Sequence, residues 1–225
     1  MPLPPPPPSS LAKQLIRADA APVSADSAYV IQRIELRLSD DPVLSTRVIR
    51  LLPARLARDV ADDVIAHREL VGLARPRRVK VFRVGPALAA EKLRAYYAEA
   101  QQRSGVRWEL LAAINFVETD FGRVRQPSIH GALGPMQFMP STWELYGRGD
   151  VHDPHAAILA AARLLRAAGA PQDEAAALYH YNPSAAYIDA VQRYARRIRR
   201  SERAFLQYYS RPLVVRTPTG YRLLR

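Results

Sequence analysis

The side chain best suited to acid–base chemistry in this chain is Glu118, within Leu111-Ala-Ala-Ile-Asn-Phe-Val-Glu-Thr-Asp-Phe-Gly122. At about 100° per residue on a helix, Glu118 stacks with Ile114 four positions back and Leu111 seven back, so a carboxylate emerges from an apolar face at the last turn. Burial against such neighbours raises a carboxyl pKa, and the group can then hold a proton at neutral pH and deliver it to a leaving oxygen. A structural glutamate reaching solvent from a helix end has the same pattern, and spacing alone leaves both readings open.

Two further segments place polar groups in suggestive company. Gly131-Ala-Leu-Gly-Pro-Met-Gln-Phe-Met-Pro-Ser-Thr-Trp143 mixes glycines, Met136 and Phe138 with polar Gln137, Ser141 and Thr142, a composition that lets backbone approach a ligand closely. Ala177-Leu-Tyr-His-Tyr-Asn-Pro183 ends a helix with two tyrosines and an amide. Aromatic faces beside amides suit sugar rings and acetamido groups, although core packing accounts for Tyr179 and Tyr181 almost equally well.

A typical glycosidase needs two carboxylates about 5 to 9.5 Å apart, and the sequence offers no obvious partner for Glu118. Asp120 falls about 200° around the helix, which suits a terminal cap or an ion pair. Asp150 and Asp153 sit in a loop and at a helix start, where capping is the expected work. The five histidines show no zinc-ligand spacing and there is no cysteine, so neither a metal site nor a cofactor is expected.

The elements that must position these residues read as helices. Apolar positions recur at helical spacing through 28–73, with restarts after Pro42 and Pro53. They recur again through 87–103, ending at Gly105 where a C-terminal cap belongs, and through 108–120. Asp153-Pro154 opens another helix with an acidic cap and Pro at the first position, and Ser184 caps one more. That last helix has a stripe of Tyr187, Val191, Tyr194 and Ile198, with Arg193, Arg196, Arg197, Arg199 and Arg200 off the stripe and expected in solvent. Only 75–86 alternates as a strand would, and it reads as an extended connector.

The 225 residues carry a formal net charge of +12, distributed as +6 over 1–106, −3 over 107–191 and +9 over 192–225. A polyanion would therefore meet the flanks and the tail rather than the middle. The arginines are not interleaved with the glycine and aromatic patterns of nucleic-acid readers, so a nucleic-acid partner is not expected. The longest uninterrupted apolar run is Ala156 to Ala162, far short of the roughly 20 residues needed to cross a bilayer.

Taken together, Val117-Glu-Thr-Asp-Phe-Gly122, Gly134-Pro-Met-Gln-Phe-Met-Pro-Ser-Thr-Trp143, Asp153-Pro154 with Ala157-Ile158, and Tyr181-Asn182 resemble the lytic transglycosylase family, in the family's order. The resemblance runs from about Ala87 to Arg200 and is greatest to actinobacterial secreted members. It implies an all-α fold with a lysozyme-like helical catalytic domain, of the goose-lysozyme kind, and an N-terminal helical extension. The expected division is a Pro-rich linker at 1–26, a helical extension and connector at 27–85, a catalytic domain at 86–210 and a basic tail at 211–225.

The resemblance also implies that Glu118 is acid and base in cutting the MurNAc-(β1,4)-GlcNAc bond of peptidoglycan, leaving 1,6-anhydro ends with help from the substrate's acetamido group. It sets Met136 and Gln137 on the muramyl-side sugars, Ser141 on a carboxyl or acetamido group, and Tyr181 and Asn182 along the site. The implied partners are peptidoglycan glycan strands, with anionic wall polymers on the tail. The implied state is a monomer in the cell envelope outside the cytoplasm, its signal peptide or lipid anchor removed. A hydrolytic muramidase and a non-catalytic polyanion-binding wall protein are the alternatives.

Overall fold

The computed structural model describes residues 6–73, 83–218 and 220–224. Among these the chain forms eleven helices and one two-stranded sheet. Helices α1 (Pro8–Ala20), α2 (Ala25–Asp40), α3 (Pro42–Ile49) and α4 (Ala54–Leu73) form an N-terminal layer. After them come α5 (Ala90–Ser104), α6 (Trp108–Thr119), α7 (Pro140–Tyr146), α8 (Pro154–Ala167), α9 (Glu174–Tyr181), α10 (Ala185–Arg200) and α11 (Glu202–Ser210). A hairpin of β1 (Val214–Thr217) and β2 (Gly220–Leu223) closes the chain.

The local signals act where the sequence places them. Asp153 accepts from the Ala156 N–H at 2.9 Å, Ser184 from that of Tyr187 at 3.3 Å, and Gly105 ends α5 at φ 76°. Each satisfies a backbone group that a helix end leaves unpaired. One expectation fails. Residues 8–20, expected within an extended linker, are helical: Pro8 lies in the first turn, where its missing N–H costs nothing, and Leu11, Leu15 and Ala18 are buried at helical spacing. In the basic tail, Val214 to Thr217 pair antiparallel with Gly220 to Leu223. The connector expected at 75–86 lies outside the described residues as far as 82; beyond that Val84 bridges Val124.

Two apolar cores result. One gathers Leu11, Leu15, Ile31, Ile34, Leu38, Val60 and Val64 from α1 to α4. The other surrounds α6, whose Leu110 to Asn115 are all buried, with Leu93, Tyr97, Ile158, Leu165, Phe205 and Tyr208 about it. Helix α10 lies between, packed on α4 and on α6.

Of the five arginines expected in solvent, Arg199 and Arg200 are exposed, but Arg197 is buried and, among the described residues, all except Arg199 pair with acids of α4. Arg193 and Arg200 pair with Asp62 at 3.0 and 2.8 Å, and Arg200 reaches Asp59 at 2.9 Å. Arg197 is buried and pairs with Asp63. The reason is complementary spacing: α4 sets Asp59, Asp62 and Asp63 opposite an arginine face on α10. Arg211 joins this junction from beyond α11, with bonds of 2.7 Å to Glu35 and 3.2 Å to Asp63. The Tyr208 hydroxyl donates to Asp63 at 2.5 Å.

Candidate active site

Helix α6 delivers Glu118 to a cleft one residue before it ends. It ends abruptly, because Asp120, Phe121 and Gly122 take left-handed φ values of 53°, 61° and 80° in succession. Only glycine adopts that region without steric cost, so the first two must be held there. The Asp120 and Phe121 N–H groups donate to the Phe116 and Asn115 carbonyls at 2.9 and 3.2 Å. The Asp120 carboxylate takes a 2.5 Å bond from Arg123, and the Phe121 ring is buried between Phe116 and Phe205.

Thr119 ties this turn to the loop after it. Its hydroxyl donates to the Pro135 carbonyl at 2.6 Å and accepts from the Gly122 N–H at 2.9 Å. Asn115, wholly buried on the preceding turn, donates to the Tyr97 hydroxyl at 2.8 Å. The loop folds on itself through reciprocal 2.8 Å bonds between Leu133 and Phe138. Gly134 is required there, since a Cβ would lie 2.0 Å from the Val151 carbonyl oxygen.

The Glu118 side chain is half-buried, and burial pushes its pKa from 4.5 up to about 7. Tyr187 opposes part of that rise by donating its hydroxyl to Glu118 Oε1 at 2.7 Å. Tyr181 is near enough for the Glu118 charge to raise its own pKa, after burial, and its hydroxyl donates to the Met136 carbonyl at 2.6 Å. Glu118, Tyr181, Tyr187 and the loop carbonyl at 136 thus form one cluster. Burial also raises Asp120, to about 6, against the pull of Arg123.

The remaining expected residues are placed unevenly. The Met136 side chain is wholly buried in the second core, so it has no face for a sugar; what it offers the cleft is its carbonyl, already taken by Tyr181. Gln137 stands partly exposed at φ 49°, its amide donating to the Gly134 carbonyl at 2.9 Å. Ser141 is exposed on the first turn of α7, and Asn182 is the partly exposed cap of α9. Neither has a side-chain hydrogen bond among the described residues, which leaves both groups available. Tyr179 points outward, 58% exposed. Among the described residues no three His, Asp or Glu side chains gather closely enough to hold a metal ion.

Two cavities flank the helix end. One of about 530 Å³ is lined by Phe121, Gly122, Gly134, Pro135, Arg125 and His152, without Glu118. The other, about 310 Å³, contains Glu118 and is walled by α2, α4 and the segment 213–221. Val124 lines both. Sequence reasoning missed this second wall entirely, as well as Tyr187 and Thr119. Tyr187 reads as one more residue of an apolar stripe, and no sequence signal separates its hydroxyl from its ring.

A lone glutamate at the end of a buried helix, facing tyrosines and a glycine-bearing loop in an all-α domain, is a lysozyme-like arrangement. Residues 95–203 match the family described as Transglycosylase SLT domain, and that stretch of the chain is a member of it. Such domains are of the lytic transglycosylase kind, acting on peptidoglycan. Neither the curated proteins nor the solved structures searched contain a match to the chain.

Proposed function

We propose that the chain cuts the MurNAc-(β1,4)-GlcNAc bond of peptidoglycan with Glu118 as its only acid and base, outside the cytoplasm. The observation that carries this reading is the state of Glu118: burial holds its pKa near neutrality while a tyrosine keeps one oxygen in place. A group in that range can give up a proton and take one back at the same pH. Protonated Glu118 donates to the glycosidic oxygen as the bond to C1 of the muramyl sugar breaks. The substrate's acetamido oxygen stabilises the cation left at C1. The carboxylate then removes the proton from the C6 hydroxyl, whose oxygen closes on C1, and Glu118 is protonated again.

What supports cyclisation over hydrolysis is the disposition of the other acids. Asp120, Glu35 and Asp63 line the same cavity, but each is engaged by a guanidinium, from Arg123 or from Arg211. None stands free to activate water. The internal hydroxyl, already bound with its sugar, needs no bimolecular encounter. In this reading Gln137, Ser141, Tyr181 and Asn182 line the glycan, and the residue-136 carbonyl orients Tyr181.

The test is digestion of purified sacculi in heavy-oxygen water followed by mass spectrometry of the released muropeptides. Unlabelled 1,6-anhydro ends, each one water lighter than a reducing end, are expected. Labelled reducing ends as the main product would make the enzyme a muramidase.

A further inference from the structure

The cavity that contains Glu118 is built largely from residues outside 95–203. Its apolar wall is Leu36 on α2, Leu70 and Val71 on α4, and Leu213, Val214 and Val215 at the start of the hairpin. Those parts are bound firmly to one another: the Tyr221 hydroxyl lies 3.0 Å from His67 Nε2, and Gln32 donates to the Pro212 carbonyl at 3.2 Å. These two bonds tie the hairpin side of the wall to α4 and α2.

Glu118 aside, the ion pairs about this cavity leave one cation over. Glu35 and Asp63 are matched by Arg197 and Arg211, and Asp120 by Arg123. His67 is uncharged at neutral pH, since burial lowers its pKa to about 4. Arg216 is left over: it lines the cavity from β1, is exposed, and makes no ion pair among the described residues.

We propose that this composite cavity is a subsite for the stem peptide carried by the glycan strand, with its apolar wall against small aliphatic side chains and Arg216 on a peptide carboxylate. Several aliphatic side chains and free carboxylates occur together in such a peptide. The proposal rests on Glu118 being the catalytic group, because Glu118 is the residue through which this cavity adjoins the proposed glycan site. It assigns to α2, α4 and the hairpin a part in choosing substrate.

The experiment compares wild type, Arg216→Ala and Arg216→Lys on two substrates: peptide-bearing strands, and the same strands stripped by an amidase so that only the lactyl carboxylate remains. The expected result is a KM about tenfold higher for Arg216→Ala on peptide-bearing strands than the change seen on stripped ones, with kcat little altered and Lys restoring part of the loss. An equal change on both substrates, or none on either, would overturn it. A second arm measures binding of a soluble disaccharide-peptide to Glu118→Gln and to Glu118→Gln/Arg216→Ala, and needs no turnover. Weaker binding by the double variant is expected even if wild type proves inactive on glycan, in which case the assigned reaction fails and the subsite stands. Undiminished binding, or no binding to Glu118→Gln, removes the subsite.

Discussion

The two apolar cores follow different rules. In the N-terminal layer the helices are regular and amphipathic, and every described residue that is not glycine keeps φ negative. Around Glu118 three such residues, Asp120, Phe121 and Gln137, are held in the left-handed region, while buried polar groups occur in both halves, Glu35 and Asp63 in one and Asn115 and Thr119 in the other. Strain of that kind costs on the order of 1–3 kcal/mol per residue and persists only where surroundings over-determine it. In its backbone the half that carries Glu118 departs from the rule that the N-terminal half obeys, at the turn directly after Glu118 and in the loop that Thr119 ties to it. The pattern is the one expected where function, rather than folding, has the last word.

The sharpest break of this contrast is Glu118→Gln. Turnover should fall by roughly 10²–10⁴-fold, the contribution of a positioned acid–base group, while the fold persists. Stability should move the other way with pH. The folded-state pKa of Glu118 is raised above 4.5, so its contribution is fully present below that value and is lost as pH climbs through about 7. Thermal melts of wild type and Glu118→Gln should therefore diverge between pH 4.5 and 7, the variant becoming relatively more stable. Coincident melts across that window would mean that the carboxyl is not buried as described.

Next in size is the junction between the halves. Asp63→Ala leaves Arg197 and Arg211 buried with Glu35 alone, and removing one partner of a buried pair costs about 3–5 kcal/mol. Chemical denaturation should report that loss. A loss under about 1 kcal/mol would show that the charges are not desolvated. Thr119→Val should cost about 1–3 kcal/mol, because the Pro135 carbonyl and Gly122 N–H lose their partner, and kcat should fall as the loop loosens.

Smallest is Tyr187→Phe. The hydroxyl bond favours ionised Glu118, so its loss should lift the alkaline limb of the pH–rate profile above its wild-type position, with the maximal rate down by well under tenfold. A limb shifted downward would contradict that bond.

What was legible in the sequence was whatever depends on neighbours in the chain. Helix ends at Gly105, Asp153 and Ser184 were readable because a cap acts over three or four residues. Glu118 was readable because its apolar neighbours share its helix. The ion pair of Asp120 was anticipated for the same local reason, and Arg123 supplies it three residues on. Helix α1 was hidden by the prolines before it, which dominate composition yet stop short of Leu11 and Leu15. Arg197 looked like surface because its counter-charge, Asp63, lies 134 residues away on α4. Tyr187 and the hairpin wall were invisible for that same reason: their roles arise from contacts distant in the chain.

The carbonyl of Arg211 accepts a 2.6 Å bond from Arg123, directly after the left-handed turn, while its side chain completes the buried charges of α2 and α4. One residue beyond the recognised family stretch thus fastens the turn that ends α6 to the layer in front of it. The family stretch is therefore not a portable cassette here. A protein spliced at residue 203 would inherit Glu118 but lose Phe205, Tyr208 and Arg211, and recombination that shuffles such domains would have to carry both flanks along. The flanks are bound into the inheritance of the enzyme, and a change in one should be answered over time by a change in the other.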